Sequence, residues 1–443
     1  MLLLLQEHDY SNFAKALISK YSEVGLPSPK GPTILDSNLR AQVIFKGLRY
    51  PTSIAFLGPN DILVTEKDAG TVRRVVNGTE LQQLLLNVSV ATYGHRGMLG
   101  VTVTPHPSSS TTAHGNPNGN HNNTTSTTNA YVFLYYTQAQ THTGDDITKG
   151  KQPLGNRLYR YELSDNNNSK LVNPKLLLDL PASPGAIGNG GKIVIGPDNN
   201  VYVTIGNVGI NGHKTRAQNI RNGSEPDGTS GIIRVNQDGR PVTPGILGNK
   251  FPLNLYYSYG IWNSFGLAFD PMTGKLWDTQ IGLPFGDEIN LVNPGFNSGY
   301  NKIDGVWLHV ASSEKQRIAP VHPNDLVDFA GKGKYHLPQF TWFRKVVPTG
   351  IAFLNSDRLG NIYKNDMFVG DAKNGNIYHF KLNAQRTGLL LPDGIVNSSD
   401  TLDQIVFGKG FGGITDIKAN PYDGYLYVLA FNGTIYRIAT LHN

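Results

Sequence analysis

Short apolar runs alternate with turn residues along almost the whole chain, and one phrase recurs six times. A Gly- or Pro-led apolar strand is followed by a turn, a second strand rich in Tyr and Val, and a short strand ending in Tyr-Arg or similar. The phrase is legible in Pro51–Val75 (PTSIAFLGPNDILVTEKDAGTVRRV) and in Gly190–Asn207 with Gly231–Val235. It returns in Phe265–Val292, in Pro348–Leu382 and in Gly413–Ile438 (GITDIKANPYDGYLYVLAFNGTIYRI). A looser copy runs from Gly97 (GMLGVTVTP) through Tyr131–Tyr136 to Asn156–Tyr161. Apolar–polar alternation with period two marks half-buried strands. Such a unit repeated at this length predicts an all-β chain, a six-bladed β-propeller of four-stranded antiparallel blades.

A ring of blades exposes raw edges unless the two chain ends share a blade. Gln42–Phe45 is therefore expected to pair beside Thr434–Ile438. Residues 1–40 precede the repeat; within them Phe13, Leu17, Ile18 and Tyr21 are spaced like one face of a short helix over Asn12–Tyr21. The propeller is expected over residues 41–443. Residues 107–128 read as a polar flexible insert, almost without apolar side chains and unable to join a core. Long inter-strand segments at Gln138–Gly155, Asn211–Gly228, Gln237–Tyr259 and Tyr300–Tyr335 are expected to collect on one face, where ligands bind.

Composition narrows the function. A net charge of +6 without a dense Lys/Arg run argues against nucleic acid as a partner. The absence of cysteine excludes disulfides, thiolate zinc sites and a cysteine nucleophile. No stretch approaches the apolar length of a membrane span. The opening MLLLLQ is too short for the apolar core of a signal peptide, so a leader is not evident. Asn-x-Ser/Thr triplets begin at Asn77, Asn87, Asn122, Asn123, Asn167, Asn222, Asn397 and Asn432, which points to an extracellular, cell-surface or periplasmic protein.

The phrases GMLGVTVTPHP, GGKIVIGPDNNVYVTIG, NSFGLAFDPMTGKLWDTQIG, FGDEINLV, VPTGIAFL and FGGITDIKANPYDGYLYVL follow one another along the chain. In this they resemble the soluble quinoprotein sugar dehydrogenases, the glucose/sorbosone or aldose sugar dehydrogenase family. The resemblance implies a six-bladed propeller that oxidises the anomeric carbon of aldoses. It implies pyrroloquinoline quinone (PQQ) over the central opening and calcium on its carbonyls. A third-blade histidine would act as base and arginines would clamp the quinone carboxylates. A small-molecule sugar or a surface saccharide is the implied ligand.

The chain departs from that pattern where the chemistry is expected. Gly188 stands at the position of the family base. Trp262 replaces a quinone-contacting arginine, with Asn263 retained beside it. Gly413 and Thr415 replace two further arginines ahead of Asp416. The calcium-binding pair reads Gly282-Leu283, whose backbone carbonyls survive the side-chain change. His95 stands before the GMLG phrase, either as a replacement base or as part of a solvated loop pair with Arg96. Trp262 is either a stacking platform or a filler of the space an arginine left. Asp287-Glu288 read as cation ligands or as a turn cap, and Gln280 and Asp371 as ligand contacts or turn and strand-end residues. Trp342-Phe343-Arg344-Lys345 offers an aromatic and two cations.

The expectation is an exported propeller of this family that binds a ligand or saccharide with weak or no PQQ turnover. The alternatives are an active PQQ- and calcium-dependent aldose dehydrogenase using His95, and a structural interaction protein at the cell surface.

Overall fold

The structure is a computed structural model that describes residues 27–105, 130–141, 150–164, 169–185, 187–209, 214–282, 285–308, 325–391, 396–397 and 402–441. The expected helix over Asn12–Tyr21 and the polar insert at 107–128 lie outside the described residues. Among the described residues no helix is long and apolar enough to cross a membrane.

Hydrogen bonding gathers the strands into sheets of 5, 4, 6, 5, 5 and 4 strands, with one separate 2-stranded ribbon at Ile303–Asp304 and Trp307–Leu308. The sheets begin with Pro51–Gly58, Met98–Pro105, Ile193–Ile195, Ser264–Phe269, Pro348–Phe353 and Ile414–Ala419. Each of these leading strands lies against the next, and Ile414–Ala419 returns to Pro51–Gly58. The chain ends meet as expected: Leu39–Lys46 pairs antiparallel with Thr434–Thr440, with Gln42 opposite Arg437 and Phe45 opposite Ile435.

The six-bladed propeller of four-stranded antiparallel blades expected from the repeat is not what the chain builds, and it is corrected here. Among the described residues only the sheets led by Met98–Pro105 and Ile414–Ala419 have four strands, all antiparallel. The third sheet grows by Phe296–Asn297 and Lys334–Tyr335, both paired in parallel. The fourth gains Val396–Asn397, also parallel. The first adds Thr79–Glu80 and Leu86–Asn87, and the fifth adds Thr33–Ile34. An outer strand leaves a row of unpaired N–H and C=O groups. Segments that read as loops from composition supply short strands that satisfy them.

Apolar clusters fill the spaces between sheets. One unites Ile54 and Val64 with Ile414, Leu426 and Ile435 across the closure. Another joins Trp277, Trp342, Ile351 and Tyr378. Polar side chains pin neighbouring sheets: Thr52 Oγ1 donates to Met98 O at 2.7 Å, Thr204 Oγ1 to Ser264 O at 2.9 Å and Thr349 Oγ1 to Ile414 O at 2.7 Å.

The leading strands share a further feature that creates the site. Five of them carry a register shift at the same place: between Pro51 and Ser53, Met98 and Gly100, Ser264 and Gly266, Pro348 and Gly350, and Ile414 and Asp416. A bulge re-aims the extra residue out of the ladder. Here the extra residues are Thr52, Leu99, Phe265, Thr349 and Thr415, and every one of them lines a single cavity.

Candidate functional site

The cavity has a volume of about 330 Å³. Besides the five bulge residues its wall includes His95, Gly190, Gly191, Lys192, Lys67, Val347, Ala372 and Phe431. In the third sheet Gly191 and Lys192 hold the corresponding place ahead of Ile193. The sequence reading singled out only His95 and Thr415 from this wall. The missed signal is the second residue of each leading strand.

Beneath the wall lies a buried charge cluster. Asp416 is fully buried and accepts hydrogen bonds from Lys192 Nζ, from Ser53 Oγ at 2.9 Å and from Ile54 N at 3.1 Å. Lys418 Nζ stands 3.8 Å away and donates to Ile54 O at 2.6 Å. Burial pushes the Asp416 carboxyl up, but the two ammonium groups outweigh it and hold the group below the usual carboxylate range. Burial lowers Lys418 to about 8 despite Asp416, and Lys192 adds repulsion. Two cations thus share one carboxylate.

His95 lies in the wall and packs edge-on to Phe265, with ring centroids 6.3 Å apart. Burial, then Lys67 and Lys345, lower its imidazole to about 3, so it is neutral at physiological pH. Arg96, its neighbour, is buried and straps the backbone: it donates to Tyr93 O at 3.2 Å, Lys151 O at 2.9 Å and Ser183 O at 3.3 Å.

Trp262 is buried in an apolar cluster with Ile187, Ile281, Val347 and Ala372, and its ring lies 5.4 Å from that of Tyr300. Only 6% of its surface is exposed. Asn263 accepts from Gly190 N at 3.0 Å, which ties the start of the fourth sheet to the third. Thr415 donates to Leu429 O at 3.3 Å. Arg344 and Phe343 are exposed and are not among the wall residues, while Trp342 is wholly inside the core. Leu283 lies outside the described residues.

Gly188 occupies the left-handed region with φ +77°. A Cβ there would stand 2.4 Å from Asn207 Oδ1 and 2.9 Å from Val208 N, which itself donates to Gly188 O. Asn207 is in turn held by Tyr300 OH at 3.1 Å. Any side chain at 188 must displace this turn and adopt a backbone conformation that costs about 1–3 kcal/mol for a non-glycine residue. Gly188→His is expected to lower unfolding stability by at least about 2 kcal/mol, read by urea denaturation. A neutral result would show that the turn yields.

The residues at the expected metal position do not suit a divalent cation. Gly282 O accepts a hydrogen bond from Lys345 Nζ at 2.9 Å, so an ammonium already occupies that carbonyl. Asp287 does not coordinate outward. It accepts from Gly282 N at 3.0 Å, Val346 N at 2.6 Å and Val347 N at 2.7 Å, and so clamps the turn to the next sheet. Among the described residues no three His, Asp or Glu side chains gather as a metal would need. Among the described residues the wall carries no guanidinium group: its cations are Lys67 and Lys192. A tricarboxylate quinone does not fit that donor set.

Gln280 and Glu288 belong to a buried polar network rather than to the cavity wall. Gln280 Nε2 donates to Asp278 Oδ2 at 2.8 Å, Asn290 Nδ2 to Glu288 Oε1 at 3.1 Å, and Ser298 Oγ lies 2.8 Å from Glu288 Oε1. Asp371 is a turn residue that accepts from Gly375 N at 2.9 Å and Tyr378 OH at 2.6 Å.

Leading strands set around a closed ring, with bulged residues converging on one cavity, define an all-β propeller with a central cavity. The profile of the Glucose / Sorbosone dehydrogenase family matches residues 48–437. The chain belongs to that family. It is 24% identical over 416 residues to an uncharacterized protein of Synechocystis, covering 90% of this chain and 86% of that protein. It is 24% identical to aldose sugar dehydrogenase YliI of Escherichia coli, covering 89% and 90%. With quinoprotein glucose dehydrogenase B of Acinetobacter calcoaceticus it shares 27% over 307 residues, 65% of this chain and 58% of that one. Among solved structures, the PQQ-bound aldose sugar dehydrogenase of Streptomyces coelicolor superposes with a TM-score of 0.61 at 21% identity, covering 93% of this chain and 99% of that one. The apo-form of the soluble aldose sugar dehydrogenase of E. coli gives 0.65 at 21%, covering 90% and 99%.

Proposed function

We propose that this protein is a ligand-binding member of its family that does not turn sugars over through PQQ. The observation that carries the reading is Lys345 Nζ on Gly282 O at 2.9 Å, an amine donor already seated on the carbonyl that the family resemblance assigns to calcium. Repulsion between an ammonium and a divalent cation at that spacing works against metal binding. Gly188 supplies no proton acceptor, and Trp262 is packed into the core instead of presenting a charge. Export suits this role, and the sequon asparagines Asn77, Asn87, Asn222 and Asn432 are all exposed.

His95 supports a second reading, an active aldose dehydrogenase with a replacement base, because it does line the cavity. Its low proton affinity argues against it: an imidazole titrating at about 3 is a poor general base near neutrality. The test is reconstitution with PQQ and calcium, followed by dye reduction with a panel of aldoses. The expected rate lies about 10²–10⁴-fold below that of a family member with its base intact. Turnover at the family rate, abolished by His95→Ala, would establish the second reading instead.

A further inference from the structure

The chemistry of the cavity wall identifies a class of ligand, on the footing that the site binds rather than oxidises. Leu99, Phe265, Phe431, Val347 and Ala372 give it an apolar surface. The three threonines add less polarity than their names suggest. Thr52, Thr349 and Thr415 donate their hydroxyl protons to the backbone oxygens of Met98, Ile414 and Leu429. The Gly190 and Gly191 amides are likewise engaged, with Asn263 Oδ1 at 3.0 Å and Thr204 O at 2.9 Å. Among the described residues, the polar side chains that remain on the wall are His95 and two ammonium groups. Lys67 Nζ donates to Asp68 Oδ1 at 2.6 Å and Thr92 O at 3.3 Å, which leaves one of its three N–H groups. Lys192 pairs with Asp416, a carboxylate already shared with Lys418. Positive charge therefore exceeds negative charge beneath the cavity floor.

We propose that the central cavity binds a small monocarboxylate with an apolar, ring-sized body, an aryl or branched-alkyl acid, with its carboxylate toward Lys67 and Lys192. The volume suits one ring with a short substituent, since an apolar cavity of about 150 Å³ already admits benzene. A sugar would bury several hydroxyl groups against a wall with few partners for them. Each unpaired hydroxyl would lower affinity by about tenfold. A buried carboxylate beside Lys67 would also offset one of the charges that now repel a proton from His95.

Isothermal titration of the full chain with phenylacetate tests this, with benzyl alcohol and glucose as comparison ligands. Saturable phenylacetate binding is expected, at least about tenfold tighter than benzyl alcohol, with no heat from glucose. Lys67→Met should weaken phenylacetate by about tenfold or more and bring it level with the alcohol. Leu99→Trp, which fills the cavity, should abolish binding of both aromatic ligands. Circular dichroism of each variant separates lost binding from lost folding. If phenylacetate gives no saturable heat up to ~10 mM, the proposal fails. It fails equally if glucose binds more tightly, or if folded Lys67→Met and Leu99→Trp proteins bind as the parent does. Dye reduction with PQQ, calcium and glucose on the same preparation keeps the two readings apart: turnover there overturns the binding-protein reading, whereas silence in both assays overturns only the carboxylate proposal.

Discussion

Asp416→Ala is expected to cost the fold about 3–5 kcal/mol, the range for removing one partner of a buried ion pair. The carboxylate is fully buried and receives Lys192, Ser53 and the Ile54 amide, with Lys418 at 3.8 Å. Its removal leaves two largely buried ammonium groups, 5% and 19% exposed, without their shared counter-charge, and Lys418, already lowered to about 8, loses the charge that sustains it. The damage would not stay local. Asp416 belongs to the last sheet and Ser53 to the first, so the carboxylate joins the two sheets beside the closure. Thr415, the bulge residue next to it, also lines the cavity. Asp416→Asn, which keeps an acceptor for Ser53 and the Ile54 amide, should cost less than the alanine change. Urea unfolding at pH 7 measures both; a loss below about 1 kcal/mol for Asp416→Ala would mean that the lysines simply find water.

Asp278→Asn is expected to stabilise the protein at alkaline pH and to flatten its pH dependence. Asp278 and Glu288 are buried on paired strands, Leu276–Gln280 and Asp287–Val292, where Asp278 opposes Asn290 and Gln280 opposes Glu288. Burial pushes Asp278 up to about 7 against hydrogen bonds from Gln280 and Asn290. Burial likewise pushes Glu288 up to about 8, again against hydrogen bonds, with repulsion from Asp278 and Asp304 adding to the rise. Their folded values lie above their unfolded ones, so the folded state holds protons that the unfolded state releases. Stability from this pair is therefore complete below about pH 4 and declines as pH rises toward 8. Asn at 278 removes one of the two titrations. It still accepts from Gln280, and it places an amide donor opposite Asn290, whose Oδ1 has no hydrogen-bond partner among the described residues of the parent protein. At pH 8 the variant should exceed the parent by a few kcal/mol, and at pH 4 the gain should disappear. Urea midpoints across pH 4–8 decide it; parallel curves for the two proteins would mean that Asp278 does not take up a proton in this range.

Much of the architecture follows from local pattern. Period-two alternation and the turn residues locate the leading strands, and the need to close an edge correctly pairs Gln42–Phe45 with the final strand. The uniform four-stranded plan fails because added outer strands such as Phe296–Asn297 and Lys334–Tyr335 are only two residues long. So short a segment has no periodicity to read, and its strand character comes wholly from the neighbour it meets.

By itself the sequence determined the repeat and the family phrases, and it raised the expectation that Gly188, Trp262, Gly413 and Thr415 stand where relatives keep their reacting groups. Those are properties of linear order. Tertiary structure alone decided what such residues face. It placed Lys345, 63 positions along the chain, on the Gly282 carbonyl, buried Trp262 among Ile187 and Ile281, and set Asp416 between lysines of two different sheets. Long-range electrostatics and packing depend on which strands the ring brings together, and no local pattern encodes those distances.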